Sequence, residues 1–194
     1  MGGMVVAADF EVSDGLGADL RALRKARGLT LAECALRVGR SVGWLSQVER
    51  GLSSPSIDDL RGLAGAFGVP VSLLFRPGDA PASERGHVVR ATARRRLGDP
   101  ADGLTEELLS PDLGGAFEMV RSVFAPGAEM REPQRRDTEE AGYLVSGRLD
   151  LWVGERRFAL GPGDSFRFKG EPYRWRNPGA EAAVAIWTIA PPVY

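Results

Sequence analysis

The sequence predicts two unlike halves, a helical domain followed by an all-β one, and three observations carry that prediction. Apolar residues recur at helical spacing from Leu16 to Phe75. A stretch of proline, glycine, serine and charge, RPGDAPASERG, follows at 76–86 and reads as a linker. Beyond it, short β-branched or aromatic runs are separated by glycine, proline and asparagine turns. The chain is accordingly divided into a flexible N-terminus at 1–15, a helical domain at 16–75, a linker and first strand at 76–97, and a β domain at 98–194.

The helical elements follow in order. Leu16, Leu20 and Leu23 mark a first helix; Leu31, Ala35 and Val38 a second; Leu45 and Val48 a third; Ile57, Leu60, Leu63 and Phe67 a fourth; Val71, Leu74 and Phe75 a fifth. Thr30 with Glu33, and Ser56 with Asp59, have the spacing of capping boxes, in which hydroxyl and carboxylate satisfy the free N–H groups of a helix start. Gly28, Gly39, Gly51 and Gly68 stand where helices should stop. In the second half AFEMVRSVF, GYLVSGRLDLWVG, RRFALGPGDSFRFKG, PYRWRN and AAVAIWTI read as strands, whose even spacing suggests an antiparallel barrel or jelly roll.

Composition narrows the chemistry. The 194 residues are 43% hydrophobic and 26% charged with a net charge of −1, the profile of an ordinary globular chain that can bury a core. Charge is unevenly spread, since eight basic and five acidic residues between Gly17 and Arg61 leave that segment at +3. The opening MGGMVVAADF has no basic start, and no stretch is long and apolar enough to span a bilayer, so a cytoplasmic location without membrane contact is expected. The single cysteine, Cys34, excludes an internal disulfide and sits in a helical pattern as a small buried hydrophobe. His87 is the single histidine, which leaves little for metal or acid–base chemistry.

The stretch TLAECALRVGRSVGWLSQVERG, with PSIDDLRGLAGAFGVPVSLLF after it, resembles the Cro/C1-type helix-turn-helix of the XRE regulators over Gly17 to Phe75. The resemblance implies a second helix that enters the major groove with its N-terminal turns on base edges. Its readers would be Ser41, Val42, Gly43, Trp44, Gln47 and Arg50, with Gln47 suited to adenine and Arg50 to guanine or a phosphate. Thr30 and Arg40 flank the motif where phosphates would lie. Trp44 has packing as an equal alternative, and Glu49, which would repel phosphate, is read as a contact between helices.

The segment from Gly98 to Tyr194, through PGAEM, EEAGYLVSGRLDLWVG, LGPGDSFRF and PYRWRN, resembles a small-barrel cupin, a double-stranded β-helix or jelly roll. Metal-binding cupins carry two histidines one residue apart, a glutamate four residues on and a glycine seven further, then a third histidine four residues before an asparagine. Here Glu140, Gly147 and Asn177 match, while Gln134, Arg136 and Tyr173 occupy the three histidine positions. Arginine stays protonated and repels a divalent cation, so neither a metal nor another cofactor is expected. Two readings of Arg136 and Glu140 stay open: an ion pair that stands in for the metal, or a ligand pocket in which Arg136 faces an anion and Glu140 an amine. Tyr173 and Trp175, alternating inward, with Tyr143 and Gln134, would complete the pocket. Glu118, Met119, Trp152, Phe166 and Phe168 belong to that pocket or to the core; Asp137, Thr138 and Glu139 read as a solvated turn, and Arg90, Arg94, Arg95 and Arg96 as solvated surface, with contact to flanking DNA phosphates as the alternative.

The expected function is that of a transcriptional regulator: a homodimer on a double-stranded operator, with a metal-free cupin that dimerises and senses a small molecule of unidentified structure. The alternative is a metal-dependent cupin enzyme, an epoxidase, dioxygenase or isomerase fused to a helix-turn-helix, which needs the histidines this chain lacks. No catalytic or metal-ligating residue is assigned.

Overall fold

The computed structural model describes residues 15–75, 81–84, 86–97 and 103–193. The proposed flexible N-terminus, Gly15 apart, and residues 76–80 and 85 of the proposed linker lie outside the described residues. The first half holds four α-helices: α1 (Leu16–Ala26), α2 (Leu31–Arg37), α3 (Val42–Glu49) and α4 (Ile57–Phe67). Both expected capping boxes form, Thr30 with Glu33 at α2 and Ser56 with Asp59 at α4. Gly28, Gly39, Gly51 and Gly68 all take positive φ, the conformation that ends a helix at little steric cost. The expected fifth helix is instead a four-residue 3-10 turn, Val71–Leu74. Pro70 and Pro77 bracket it, so few residues remain to build the repeated bonds of an α-helix.

Leu20, Leu23, Cys34, Leu45, Leu63 and Phe67 form the buried centre of this half. Burial pushes the Cys34 thiol up from its ordinary pKa, which fits a packing role. Gly17 lets α1 meet the end of α3, because a Cβ there would lie 2.4 Å from the Val48 carbonyl oxygen. Arg24 of α1 binds Glu49 of α3 through Nε at 2.6 Å and Nη2 at 2.9 Å. That bidentate pair gives Glu49 the role of a contact between helices.

The second half is strand-built: β1 (Arg95–Leu97), β2 (Leu104–Leu108), β3 (Glu118–Phe124), β4 (Glu139–Ser146), β5 (Leu149–Val153), β6 (Arg156–Leu160), β7 (Ser165–Lys169), β8 (Tyr173–Arg176) and β9 (Ala183–Ala190). They form an antiparallel six-stranded sheet, β1-β2-β3-β9-β4-β7, and a three-stranded one, β6-β5-β8. The barrel is therefore not closed by continuous pairing, although isolated bridges join Glu129 to Arg176 and Gln134 to Tyr173. Strict alternation of buried residues along β3 and β9 turns Val120, Phe124, Ala185, Trp187 and Ile189 to the space between the sheets.

Polar side-chain contacts tie the halves together. Arg95 at the start of β1 forms a buried ion pair with Asp19 of α1, which corrects the reading of Arg95 as solvated surface. Arg27 donates from Nε to the Phe67 carbonyl at 2.6 Å and from Nη2 to the Val193 carbonyl at 2.9 Å. Among the described residues no helix is long and apolar enough to cross a membrane.

Candidate functional site

Two surfaces draw together the residues singled out from the sequence. The first is the outward side of α3. Ser41 caps this helix, its Oγ accepting from the Trp44 N–H at 3.1 Å. Leu45 and Val48 are buried, which turns Ser41, Val42, Gly43, Gln47 and Arg50 to the exposed side. Trp44 is half-buried against the core with the Arg40 guanidinium 5.3 Å from its ring centroid, so it packs and also borders the exposed face. Arg40 Nε donates to Asp59 Oδ1 at 2.7 Å, which fixes that side chain beside α3. Arg50 Nε donates to the Ser46 carbonyl at 3.1 Å. Thr30 is exposed, but its hydroxyl is engaged with Glu33, donating at 2.7 Å and accepting from the Glu33 N–H at 3.2 Å.

The second is a cavity of about 180 Å³ between the two sheets, whose wall includes Gln134, Arg136, Glu140, Tyr173 and Trp175. Five of the six candidate ligand residues thus meet in one space. Tyr143 does not: it is odd in register with Glu140 and Leu144 on β4, so the pleat turns it to the outer face, where it is 50% exposed. Gln134 and Tyr173 exchange backbone hydrogen bonds at 2.9 and 2.8 Å, fixing the loop that carries Arg136 over β8. Arg136 Nη2 donates to Gln134 Oε1 at 3.4 Å, a long and weak contact at the rim.

Glu140 lies deep, 2% exposed, and accepts from Thr138 Oγ1 at 2.9 Å. Thr138 is itself buried and supports the site, which corrects its reading as part of a solvated turn. Burial pushes the Glu140 carboxyl up; the Thr138 hydroxyl and the Arg136 charge draw it down, and Glu106 pushes it up again.

Glu106 of β2, Ser122 of β3 and Trp187 of β9 also line the cavity and were not singled out from the sequence. Ser122 Oγ donates to Glu106 Oε1 at 2.8 Å. Trp187 lies within a predicted strand, and the alternation of AAVAIWTI is a usable signal; Glu106 offers none, because the acidic LTEEL carries no strand-like apolar alternation. Glu118 is buried but accepts from the Val193 N–H at 3.0 Å, away from this space. Phe168 packs on Tyr173 at 4.9 Å and Phe166 edge-on against Trp187 at 4.7 Å between ring centroids, as core behind the wall. Met119 and Trp152 face outward, the latter beneath Arg174 at 3.8 Å.

The donor set does not fit a cupin metal. Glu140 is the one anionic donor at the four motif positions, and Arg136 brings a fixed positive charge. Among the described residues no group of three or more His, Cys, Asp and Glu is arranged to hold a metal ion.

The family described as "Helix-turn-helix domain" matches residues 16–74, and that described as "Cupin domain" matches residues 120–189. The transcriptional regulator ClgR of Mycobacterium tuberculosis is 31% identical over 101 residues, 52% of this chain and 90% of its own length. The chain belongs to the helix-turn-helix transcriptional regulators and carries a cupin domain. A second relative, the HTH-type transcriptional regulator SutR of Escherichia coli, is 29% identical to this regulator over 168 residues, 86% of this chain and 89% of its own. The crystal structure of an HTH_3 family transcriptional regulator from Vibrio cholerae is 24% identical and covers 91% of this chain and 95% of that one, with a TM-score of 0.44. α3 lies within the residues that match the helix-turn-helix family, and all of the cavity's lining except Leu104 and Glu106 lies within the cupin match.

Proposed function

We propose that this DNA-binding regulator reads its operator as a homodimer through α3 and adjusts that binding to a small molecule held in the cupin cavity, without catalysis. The observation that carries the reading is the two-sided character of α3. Leu45 and Val48 anchor one side, while Ser41, Val42, Gly43, Gln47 and Arg50 stand exposed on the other, bordered by Trp44 and Arg40. A side-chain amide and a guanidinium on an exposed recognition helix suit adenine and guanine edges. Thr30, held in its capping box, contributes by fixing the start of α2 beside the DNA-reading helix.

Dimerisation is supported by the outer face of the six-stranded sheet. Met119, Tyr143 and Val145 are exposed there, with Tyr143 opposite Ile186 across the β4–β9 pair. A second copy of the same sheet is the occupant that suits a two-fold operator, with half-sites roughly 34 Å apart or a multiple of it. The regulatory reading is favoured over the enzyme one by Gln134, Arg136 and Tyr173, which stand at the motif's histidine positions around Glu140.

The test is operator binding at fixed salt, with light scattering for mass. Gln47→Ala and Arg50→Ala are expected to weaken specific binding by about 1–3 kcal/mol each and non-specific binding far less. Tyr143→Glu is expected to yield a monomer with weakened operator binding. Unchanged footprints in both α3 variants reject the reader assignment, and a dimeric Tyr143→Glu rejects the sheet-face interface.

A further inference from the structure

Beyond the residues of the metal-type motif, the cavity contains a second carboxylate and an unsatisfied donor. Glu106 enters from β2 and Glu140 from β4, and each accepts from a neutral hydroxyl, Ser122 Oγ at 2.8 Å and Thr138 Oγ1 at 2.9 Å. Hydroxyls supply hydrogen bonds but no countercharge, and Arg136 is the single cationic side chain in the lining against two carboxylates. The carboxylates lie close enough for the charge of Glu106 to act on Glu140, whose carboxyl burial already pushes up. Trp187 lines the same space, is 5% exposed, and its Nε1–H has no hydrogen-bond partner among the described residues. A buried indole N–H left unmade is costly, and native cores rarely tolerate one. Around these groups stand the rings of Phe124, Tyr173 and Trp175.

We propose that the cavity takes a small primary ammonium compound that also carries a hydrogen-bond acceptor, such as an amino acid or amino alcohol. The ammonium group is shared by Glu106 and Glu140, and the acceptor receives the Trp187 Nε1–H. Three donors on an ammonium match two carboxylates and an aromatic wall. A simple carboxylate would meet two like charges on entering. A bare metal ion could not use the Trp187 N–H, and among the described residues no group of three or more ligating side chains is arranged to hold one. The volume of about 180 Å³ suits a compound of roughly six to ten non-hydrogen atoms. This proposal rests on the effector reading above and gives it a ligand class.

Calorimetry on the full chain with n-propylamine, propionate and 3-aminopropionate tests it. The two amines are expected to bind and propionate not. Glu106→Gln and Glu140→Gln are each expected to weaken amine binding by about tenfold or more. Trp187→Phe should weaken 3-aminopropionate by a larger factor than propylamine, a split that general loosening of the cavity does not produce. If either glutamine variant does not fold, the wild-type chain decides: propylamine binding must weaken as pH falls through the carboxylate range while Arg136 stays charged. Preference for propionate, lost in Arg136→Ala, overturns the ammonium assignment but leaves an effector site. No binding of any of the three at millimolar concentration overturns both the assignment and the site.

Discussion

Glu140 is held between opposing influences, and their balance has a measurable consequence. Burial pushes its carboxyl up, against the Thr138 hydroxyl and the Arg136 charge, with Glu106 adding to the rise. Because the folded-state pKa lies above the ordinary one, the native state binds more protons than the unfolded chain between those two values. Stability from this residue is therefore highest below the ordinary carboxylate pKa and falls as pH rises through the folded one. Glu140→Gln is expected to gain stability relative to wild type on going from about pH 4 to about pH 7, by urea unfolding. The opposite trend would identify a stabilising Arg136–Glu140 ion pair, the other reading the sequence left open. Gly142 is a second residue with a sharp expectation: a Cβ there would fall 2.1 Å from the Phe166 ring, which packs edge-on against Trp187. Gly142→Ala should therefore displace Phe166, cost about 1–3 kcal/mol and disturb the cavity wall, visible as a shift in tryptophan emission.

At the scale of elements, α1, α2 and α3 stack through close approach and capping. Gly17→Ala must push α1 away from the Val48 and Glu49 carbonyls, which are backbone and cannot swing aside. It is expected to cost more stability than Thr30→Ala, which removes one capping hydroxyl at about 1 kcal/mol; thermal melts of the two variants compare them, and a Gly17→Ala melt equal to wild type would mean that α1 and α3 slide freely. The elements differ in how far the sequence disclosed them. Four helices were legible because local signals agree: hydrophobic spacing, the boxes at Thr30 and Ser56, and glycines with positive φ. Val71–Leu74 carried helical spacing too, but spacing says nothing of length, and the bracketing prolines cut it to a 3-10 turn. Strand β2 was missed because LTEEL is acidic and lacks β-branched alternation; its pairing with β3 is what organises it. Sheet order is likewise a long-range property, since β9 lies between β3 and β4 in space but last in sequence. The cavity was legible where motif spacing marked it, at Gln134, Arg136, Glu140 and Tyr173, and not where distant strands meet, at Glu106, Ser122 and Trp187.

For the whole molecule, a sensing cavity matters only if its state reaches the DNA-reading half. Strand β9 carries Trp187 and Ile189 in the cavity wall, and four residues after Ile189 the Val193 carbonyl accepts from Arg27 at the end of α1. Arg27 also binds the last carbonyl of α4, at Phe67, and Glu118 of β3 holds the Val193 N–H, so this segment is tied to both halves. The Asp19–Arg95 pair is the second tie, and both side chains are buried. These ties should be separable by variants. Arg95→Ala leaves Asp19 without its buried cationic partner and is expected to cost about 3–5 kcal/mol, with Asp19→Leu in the same chain recovering much of that loss. Arg27→Ala touches neither the cavity nor α3, so effector affinity and unliganded operator affinity should change little. What it should reduce is the factor by which effector alters operator affinity, because coupling requires the two halves to respond to each other's state. Operator titrations with and without 3-aminopropionate, on wild type and Arg27→Ala, measure that factor directly. An undiminished factor in the variant would move the coupling to the Asp19–Arg95 contact or to the proposed dimer interface.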